Sequence, residues 1–334
     1  MSTLSRSLEF ENIQAENLKK EFIKHDKSIS HKIEEIYINY RKKYLKNSKF
    51  LDLSFKLKLN DNFVICPLTL ETNNDIKALN FYGEPFQVFF KKKIDSNLES
   101  QLLDHFFNLY KKFKYENSLI KIKKNNDYNY SKNDFKQKNN PEKIYEDMFI
   151  DLTATENEIF SRFYPGLRNE LRKKHSELTY EIIDAKNYNT NEIFNMMNLH
   201  TKISGYQTRS TDSWKKNEEM IKKNKGFLVK VKFNGDIISY SFFYHNHYAC
   251  IYFSSCSIRD YFKKFKNLNH ISLWTAIQHA KKLNCNYFYI GSNTLYSKIK
   301  LSSKEKSVEL FKKKFSNIRE TYFLYKKIPE TFCE

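Results

Sequence analysis

Residues 226–257 read GFLVKVKFNGDIISYSFFYHNHYACIYFSSCS. Three apolar, β-branched and aromatic runs sit in this stretch, too short for helices and separated by turn residues, so the pattern predicts three successive strands. Asn234–Gly235 makes the first connection a hairpin, and the next two strands meet near Asn246. Working backwards, helices are expected around 189–203 and 211–224, a strand from about Leu178, and a helical piece carrying Arg168 and Arg172. Pro165–Gly166 separates that piece from an earlier helix with Glu156 and Glu158 in its first turn, capped by Thr153 or Thr155, and a strand ending at Leu152 precedes both. Working forwards come a helix from His270 to Leu283, the strand NYFYIG (286–291), a helix at 304–315 and a last strand ETYFLYKKI (320–328). From the strand at Leu178 onward the second half therefore reads β–α–α–β–β–β–α–β–α–β.

The first half reads as a shorter version of the same plan. Residues 8–47 lack Gly and Pro, and Leu18, Phe22, Ile33, Ile36, Tyr37 and Tyr40 recur at spacings of three and four, which predicts one or two helices. FLDLSFKLKL (50–59) alternates like a half-buried strand, and NFVICPLTLE (62–71) and KALNFYGEPFQVFF (77–90) come after it as strands, with Gly83 in a turn. In 96–113, Leu98, Leu102, Phe106 and Leu109 share one helix face below a Ser96 cap. SLIKIK (118–123) closes the unit. The Asn- and Lys-rich stretch 124–142 reads as a linker or mobile loop. The expected organisation is a helical extension over 1–48, a first lobe over 49–143 and a second lobe over 144–334 that carries the active site. The fold class is α/β (α+β): two tandem lobes with mixed, largely antiparallel sheets flanked by helices.

The chain has 334 residues, 40% hydrophobic and 16% aromatic, enough for two cores, and a net charge of +19. Such a charge suits an anionic partner such as tRNA, a nucleotide-linked substrate or a lipid phosphate. Fifty lysines against eight arginines fit equally well with a codon bias toward Lys and Asn. Five cysteines (Cys66, Cys250, Cys256, Cys285 and Cys333) show no metal-ligand spacing and suit reduced thiols in a cytoplasmic protein. His245, His247 and Cys250 lack a fourth ligand, so no metal site is expected. No run approaches the ~20 apolar residues of a membrane span, which leaves peripheral membrane contact, and the opening MSTLSRSLEFENIQ lacks a signal-peptide core. Nucleophile-elbow, Walker and dinucleotide fingerprints are absent.

Four segments carry a resemblance. SGYQTRSTDSW (204–214), LNHISLWTAIQHAKKLNCNYFYIG (268–291) and KEKSVELFKKKFSN (304–317) resemble, in order, segments of Fem-type transferases and their relatives from surface-polysaccharide gene clusters, and NFYGEP (80–85) is similar to a Tyr-Gly turn of their first lobe. The element order resembles that of GNAT acyltransferases, whose Gly-rich pyrophosphate turn corresponds to SIRDYFKKFKNLNH (257–270), which holds no glycine. The resemblance covers residues 145–330 well and the first lobe weakly. It implies two tandem GNAT-like lobes and transfer of an acyl or aminoacyl group to an amine of a cell-envelope precursor: an amino sugar, a sugar nucleotide or a peptidoglycan stem. It implies no tightly bound cofactor, and leaves acyl-CoA and aminoacyl-tRNA both open as donor. The partners expected are a small-molecule or lipid-linked anionic acceptor, with tRNA as a further candidate. The competing class is a basic RNA- or tRNA-binding module on an inactive acyltransferase fold.

Several side chains are candidates for the site. Lys312 borders the stripe Val308, Phe311 and Phe315, from which its ammonium can reach an oxyanion or a donor phosphate; the alternative is a snorkelling surface lysine. His270 opens a helix, whose N-terminus would keep the ring neutral as a proton acceptor; the alternative is a capping or packing histidine. Both match functional positions of the family's motifs. Arg209 offers a planar fork for an anion beside the hydroxyls of Tyr206 and Thr208, unless it only pairs with Asp212 in a capping loop. Arg168 and Arg172 share a helix face and could clamp a phosphate, although pairing with Glu170 is the commoner fate. Tyr252 and Phe311 complete the expected substrate contacts.

Overall fold

The computed structural model describes residues 8–13, 17, 32, 34–45, 47–59, 62–90, 96–123, 141–173, 175–246 and 248–327. Leu18, Phe22, Ile33, His247, Cys333 and residues 124–140 of the expected linker or mobile loop (124–142) lie outside them. The chain divides into two compact units: residues up to 146 with 294–301 and 320 onward, and residues 147–293 with 302–319.

The first unit contains β1 (Leu8–Asn12), α1 (Glu35–Tyr44), β2 (Ser48–Asp52), β3 (Phe55–Leu59), β4 (Asn62–Cys66), β5 (Thr69–Asn73), β6 (Ile76–Asn80), β7 (Phe89–Phe90), α2 (Ser96–Phe113) and β8 (Asn117–Lys123). Residues 8–12, expected in a helix, form a strand: β1 pairs antiparallel with β3, and the sequence alternation Leu8, Glu9, Phe10, Glu11 suits a sheet edge better than its helix propensity suggested. FLDLSFKLKL is two strands, not one. β2 joins β5 while β3 joins β4 in a separate four-stranded sheet of order β1-β3-β4-β7. The chain breaks at Leu53–Ser54, opposite the break that Pro67 imposes between β4 and β5, and the two breaks are tied by Leu68 N donating to Ser54 Oγ at 3.0 Å. The apolar face of α2 is buried as expected, with Leu98, Leu102, Phe106 and Leu109 at 0–8% exposure.

The second unit takes its elements from β9 (Lys143–Asp151), α3 (Glu156–Ser161), α4 (Pro165–Arg172), β10 (Leu178–Ile183), α5 (Asn191–Ser204), α6 (Thr211–Lys222), β11 (Gly226–Phe233), β12 (Asp236–His245), β13 (Ala249–Ser257), α7 (Tyr261–Lys264), α8 (Leu268–Lys282), β14 (Tyr287–Ser297), α9 (Ser303–Lys313) and β15 (Ile318–Lys327). β10 to β13 form an antiparallel meander, and β14 then joins β13 in parallel. Local chemistry sets the helix ends: Thr155 and Glu158 make a capping box on α3, Pro165 stands at the start of α4, and Ser302 with Glu305 repeats the box on α9. The core gathers Phe163, Phe227, Phe243, Phe288, Ile290 and Phe315. β15 was expected to end the second lobe. From Glu320 it instead belongs to the first unit, because Tyr322–Lys327 pair antiparallel with β8. Among the described residues no helix is long and apolar enough to cross a membrane.

Candidate functional site

β13 and β14 pair over only three positions, from Ala249 beside Tyr287 to Ile251 beside Tyr289. Beyond that point β13 stays with β12 through a bulge: Phe243 faces Tyr252 but Phe242 faces Ser254, leaving Phe253 as the extra residue. The strands therefore separate where β13 bends, and a cavity of ≈ 480 Å³ opens there. β13 contributes Tyr252, Ser254 and Ser255 to its wall, α8 contributes Asn269 and His270, and α9 contributes Ser307, Val308, Phe311 and Lys312. Lys266, just before α8, adds a second cation.

Four of the expected residues share this cavity: His270, Lys312, Tyr252 and Phe311. The His270 ring is stacked on Phe311 at 4.9 Å and lies 5.9 Å from Phe315. Only 8% of the residue is exposed. Burial pushes its pKa below the ordinary histidine value, the carboxylate of Glu170 opposes that shift, and Lys314 adds to it. The ring is thus held neutral mainly by desolvation; the helix N-terminus expected from the sequence is not the leading cause. Tyr252 donates to or accepts from Ser255 at 2.6 Å, and burial pushes its hydroxyl pKa up, so it remains a neutral phenol.

Lys312 reaches its place by crossing the backbone of Gly291. That glycine sits at φ +119°, and a Cβ there would collide with the Lys312 ammonium and lie 3.3 Å from its Cε. A side chain at position 291 would both strain the backbone and displace the lysine.

The other expected residues do not line the cavity. The 204–214 stretch is a helix-to-helix junction. Gly205 is the left-handed C-cap of α5 at φ +79°, and Ser210 caps α6 by accepting from Ser213 N. Arg209 lays its guanidinium over Trp214 at 4.4 Å, which His200 meets edge-on at 5.6 Å. Asp212, its expected partner, faces Lys215 at 3.8 Å. Tyr206 is 68% exposed, and Thr208 Oγ1 lies 3.4 Å from His200 Nδ1. Arg209 and Thr208 thus gather around Trp214 and His200, outside the cavity wall, while Tyr206 stands in solvent. Arg172 stacks on Phe160 at 5.3 Å and donates to Asn169, while Arg168 is half-buried on the same helix.

Glu170, read from the sequence as a partner for those arginines, instead brings its carboxylate Oε2 within 2.8 Å of His270 Nδ1. Asn267 explains the approach: its side-chain amide donates to the backbone carbonyls of Glu170 at 2.7 Å and Lys173 at 3.3 Å, which pins the end of α4 to the start of α8. No local spacing in the sequence announces this contact. Lys266 and Asn267 both belong to the glycine-free segment 257–270.

A larger cavity, ≈ 720 Å³, lies in the first unit around Phe10, Leu53, His105 and Phe113. His105 there is sandwiched between Phe10 at 4.5 Å and Phe55 at 4.4 Å, and burial lowers its pKa to about 4. Its ring faces serve packing.

No protein-family model and no curated protein matches the sequence. Solved structures do match. The structure of FemX shares 12% identity over 95% of this chain and 97% of that one, with a TM-score of 0.61. A tandem GNAT protein from the clavulanic acid biosynthesis pathway shares 8% identity over 96% and 98%, with a TM-score of 0.52. A GCN5-related N-acetyltransferase from Sphaerobacter thermophilus shares 9% over 84% and 82%, with a TM-score of 0.50. The chain has the tandem GNAT-like fold of Fem-type proteins.

Proposed function

We propose that this protein is an acyltransferase that moves an acyl or aminoacyl group onto an amine of a cell-envelope precursor, with the second unit as its active lobe. The observation that carries the reading is that a buried imidazole and a lysine, His270 and Lys312, both line one cavity where two parallel strands part. The likeness to FemX and to two GNAT proteins, one of them named an N-acetyltransferase, supports acyl transfer as the reaction class.

The chemistry needs four things. An amine must be neutral to attack, its nitrogen must bond to a thioester or ester carbonyl carbon, the negative charge on oxygen must be held, and a proton must leave the nitrogen as the C–S or C–O bond breaks. The buried His270 is a proton acceptor at neutral pH. Lys312 supplies a cation for the oxyanion or a donor phosphate, and Lys266 a second cation for an anionic donor or acceptor. Tyr252 and Ser255 offer hydroxyls to orient the acceptor. Phe311 forms the apolar floor that excludes water beside the ring. Arg209, Tyr206 and Thr208 lie outside this wall and are assigned no part in the transfer, Arg209 serving its stack on Trp214, while Arg168 and Arg172 offer a further cationic face for a phosphate-bearing substrate. The buried reduced cysteines Cys66, Cys250, Cys256 and Cys285 suit a cytoplasmic setting.

The test is incubation of the purified protein with labelled acyl-CoAs and with charged tRNA, each against amino-sugar, sugar-nucleotide and peptidoglycan-stem acceptors. Label appearing as an amide from one donor class, and lost in Lys312→Ala, supports the proposal. Tight, salt-sensitive RNA binding with no product from any pair would replace it by an RNA-binding role.

A further inference from the structure

We infer that Glu170 is the positioning residue of His270: its carboxylate holds the imidazole proton on Nδ1 and leaves Nε2 as the nitrogen that takes the proton from the attacking amine. This rests on the reading of His270 as the proton acceptor of the proposed transfer.

Three observations lead to it. The Glu170 Oε2 to His270 Nδ1 separation is 2.8 Å, a close electrostatic contact whose angle is too bent for a hydrogen bond in the free protein. Both atoms are buried and have no hydrogen-bond partner among the described residues, and the same holds for His270 Nε2, so the carboxylate is the polar group closest at hand for the ring. Lastly, both carriers are fixed. The Asn267 amide clamps the backbone of α4 at Glu170 and Lys173, Asn267 is itself held by His175 at 2.7 Å, and Phe311 and Phe315 limit rotation of the ring.

The tautomer is set by elementary electrostatics. A neutral imidazole carries one ring proton. With that proton on Nε2, the Nδ1 lone pair would face a carboxylate oxygen at 2.8 Å, two electron-rich atoms in repulsion. With it on Nδ1 the contact becomes attractive and Nε2 keeps its lone pair; that nitrogen is buried in the free protein, so the amine meets it only once the side chains around the ring shift on binding. When the amine gives up its proton to Nε2, the imidazolium that results lies against the Glu170 carboxylate, which stabilises it. The bond that forms is Nε2–H, the one that breaks is the substrate N–H, and the Nδ1–H stays in place. Catalytic hydrogen bonds that stand off-line in a free enzyme commonly tighten once substrate is bound.

The test uses the full-length protein with 15N-labelled histidine, together with Glu170→Ala, Glu170→Gln and Glu170→Asp. Imidazole 15N shifts of wild-type protein should report the Nδ1–H form for His270. Glu170→Ala should convert it to a mixture or to Nε2–H. Glu170→Gln keeps an acceptor but loses the charge and should retain much of the Nδ1–H form, with the His270 pKa moved further down, since the carboxylate is the group that raises it; Lys266, Lys312, Lys314 and Tyr252, which also face or border the ring, are unchanged in all three variants. In steady-state assays Glu170→Ala should lower kcat about 10- to 100-fold with KM within about twofold, and Glu170→Asp should recover part of the loss. A histidine tautomer unmoved by Glu170→Ala overturns the inference whatever the rates do. A full loss in His270→Gln beside a wild-type rate in Glu170→Ala also overturns it, while leaving the active-site reading intact. A wild-type rate in His270→Gln removes that reading instead, and with it this one.

Discussion

In the first unit β6 and β8 run parallel for two positions, Ala78 beside Asn117 and Leu79 beside Ser118. In the second, β13 and β14 run parallel for three. The junctions then diverge. The first strand turns out at Phe81–Glu84 and comes straight back, so that Phe86 bridges to Ile120 and its carbonyl accepts from Lys121 N at 2.8 Å. Phe86, 1% exposed and packed 5.6 Å from Phe106, fills the gap with the chain's own aromatic ring. At the second junction nothing returns: β13 bulges toward β12, and the gap becomes the cavity of His270 and Lys312. One strand plan gives a plugged wedge in one unit and an open wedge in the other, its apolar wall carrying His270, Lys312 and serine hydroxyls. The path of the chain beyond the parallel pairing decides between the two.

The largest effect expected concerns the open wedge. His270→Gln should lower kcat/KM by about 10²- to 10⁴-fold, the usual contribution of a general base. A wild-type rate in that variant would erase the functional difference between the wedges. The same residue sets a pH limb. The base must be unprotonated, and its pKa is lowered, so activity should hold as pH falls through the range where an unperturbed histidine (about 6.5) protonates, and decline only below it. The pH profile of kcat/KM checks this, with Glu170, Lys314, Lys312 and Lys266 as the charged groups around the ring.

At the plugged wedge, Phe86→Ala should cost about 3–5 kcal/mol of stability, measured by denaturant titration, while the folded fraction keeps its transfer rate. A lost rate at unchanged stability would mean that the first unit carries chemistry too. Gly291→Ala should cost about 1–3 kcal/mol through its left-handed backbone, and it should also cut transfer in step with Lys312→Ala, because the new methyl occupies the ammonium's position. Stability loss without rate loss would show that Lys312 can act from elsewhere. The smallest effect belongs to Arg209→Lys, which replaces the guanidinium stacked on Trp214 and should cost about 0.5–1 kcal/mol with little change in rate. A rate loss beyond about a hundredfold, more than a lost stack accounts for, would extend the active site to the 204–214 junction.

The element order of the second half was legible because each piece carries its own signal. Alternating apolar runs, an Asn-Gly turn, Ser and Thr caps and a Pro at a helix start are local and act within a few residues. The first half was read less well where local signals conflict with pairing. Residues 8–12 are compatible with a helix, yet their alternation is used by a neighbouring strand. FLDLSFKLKL looks continuous until its two halves are drawn into different sheets. The 204–214 stretch stands out for its rare Gly, Arg and Trp, and those residues do have special tasks: a left-handed cap and a cation–π stack that hold two helices together.

The candidate site divides the same way. His270 and Lys312 stood out in the sequence by motif and helix position, and Tyr252 by lying on the expected strand. Their meeting in one cavity, the Glu170 carboxylate against the imidazole and the passage of Lys312 over Gly291 were not visible there. By itself the sequence determined the outcomes of short-range interactions: which segments are helices or strands, where they start and stop, and which faces are apolar. The tertiary structure alone decided which strand ends separate, which polar groups lose water together and which carboxylate faces which ring. Those outcomes depend on contacts between segments far apart in the chain, and a histidine's proton affinity is set by the company it keeps after folding.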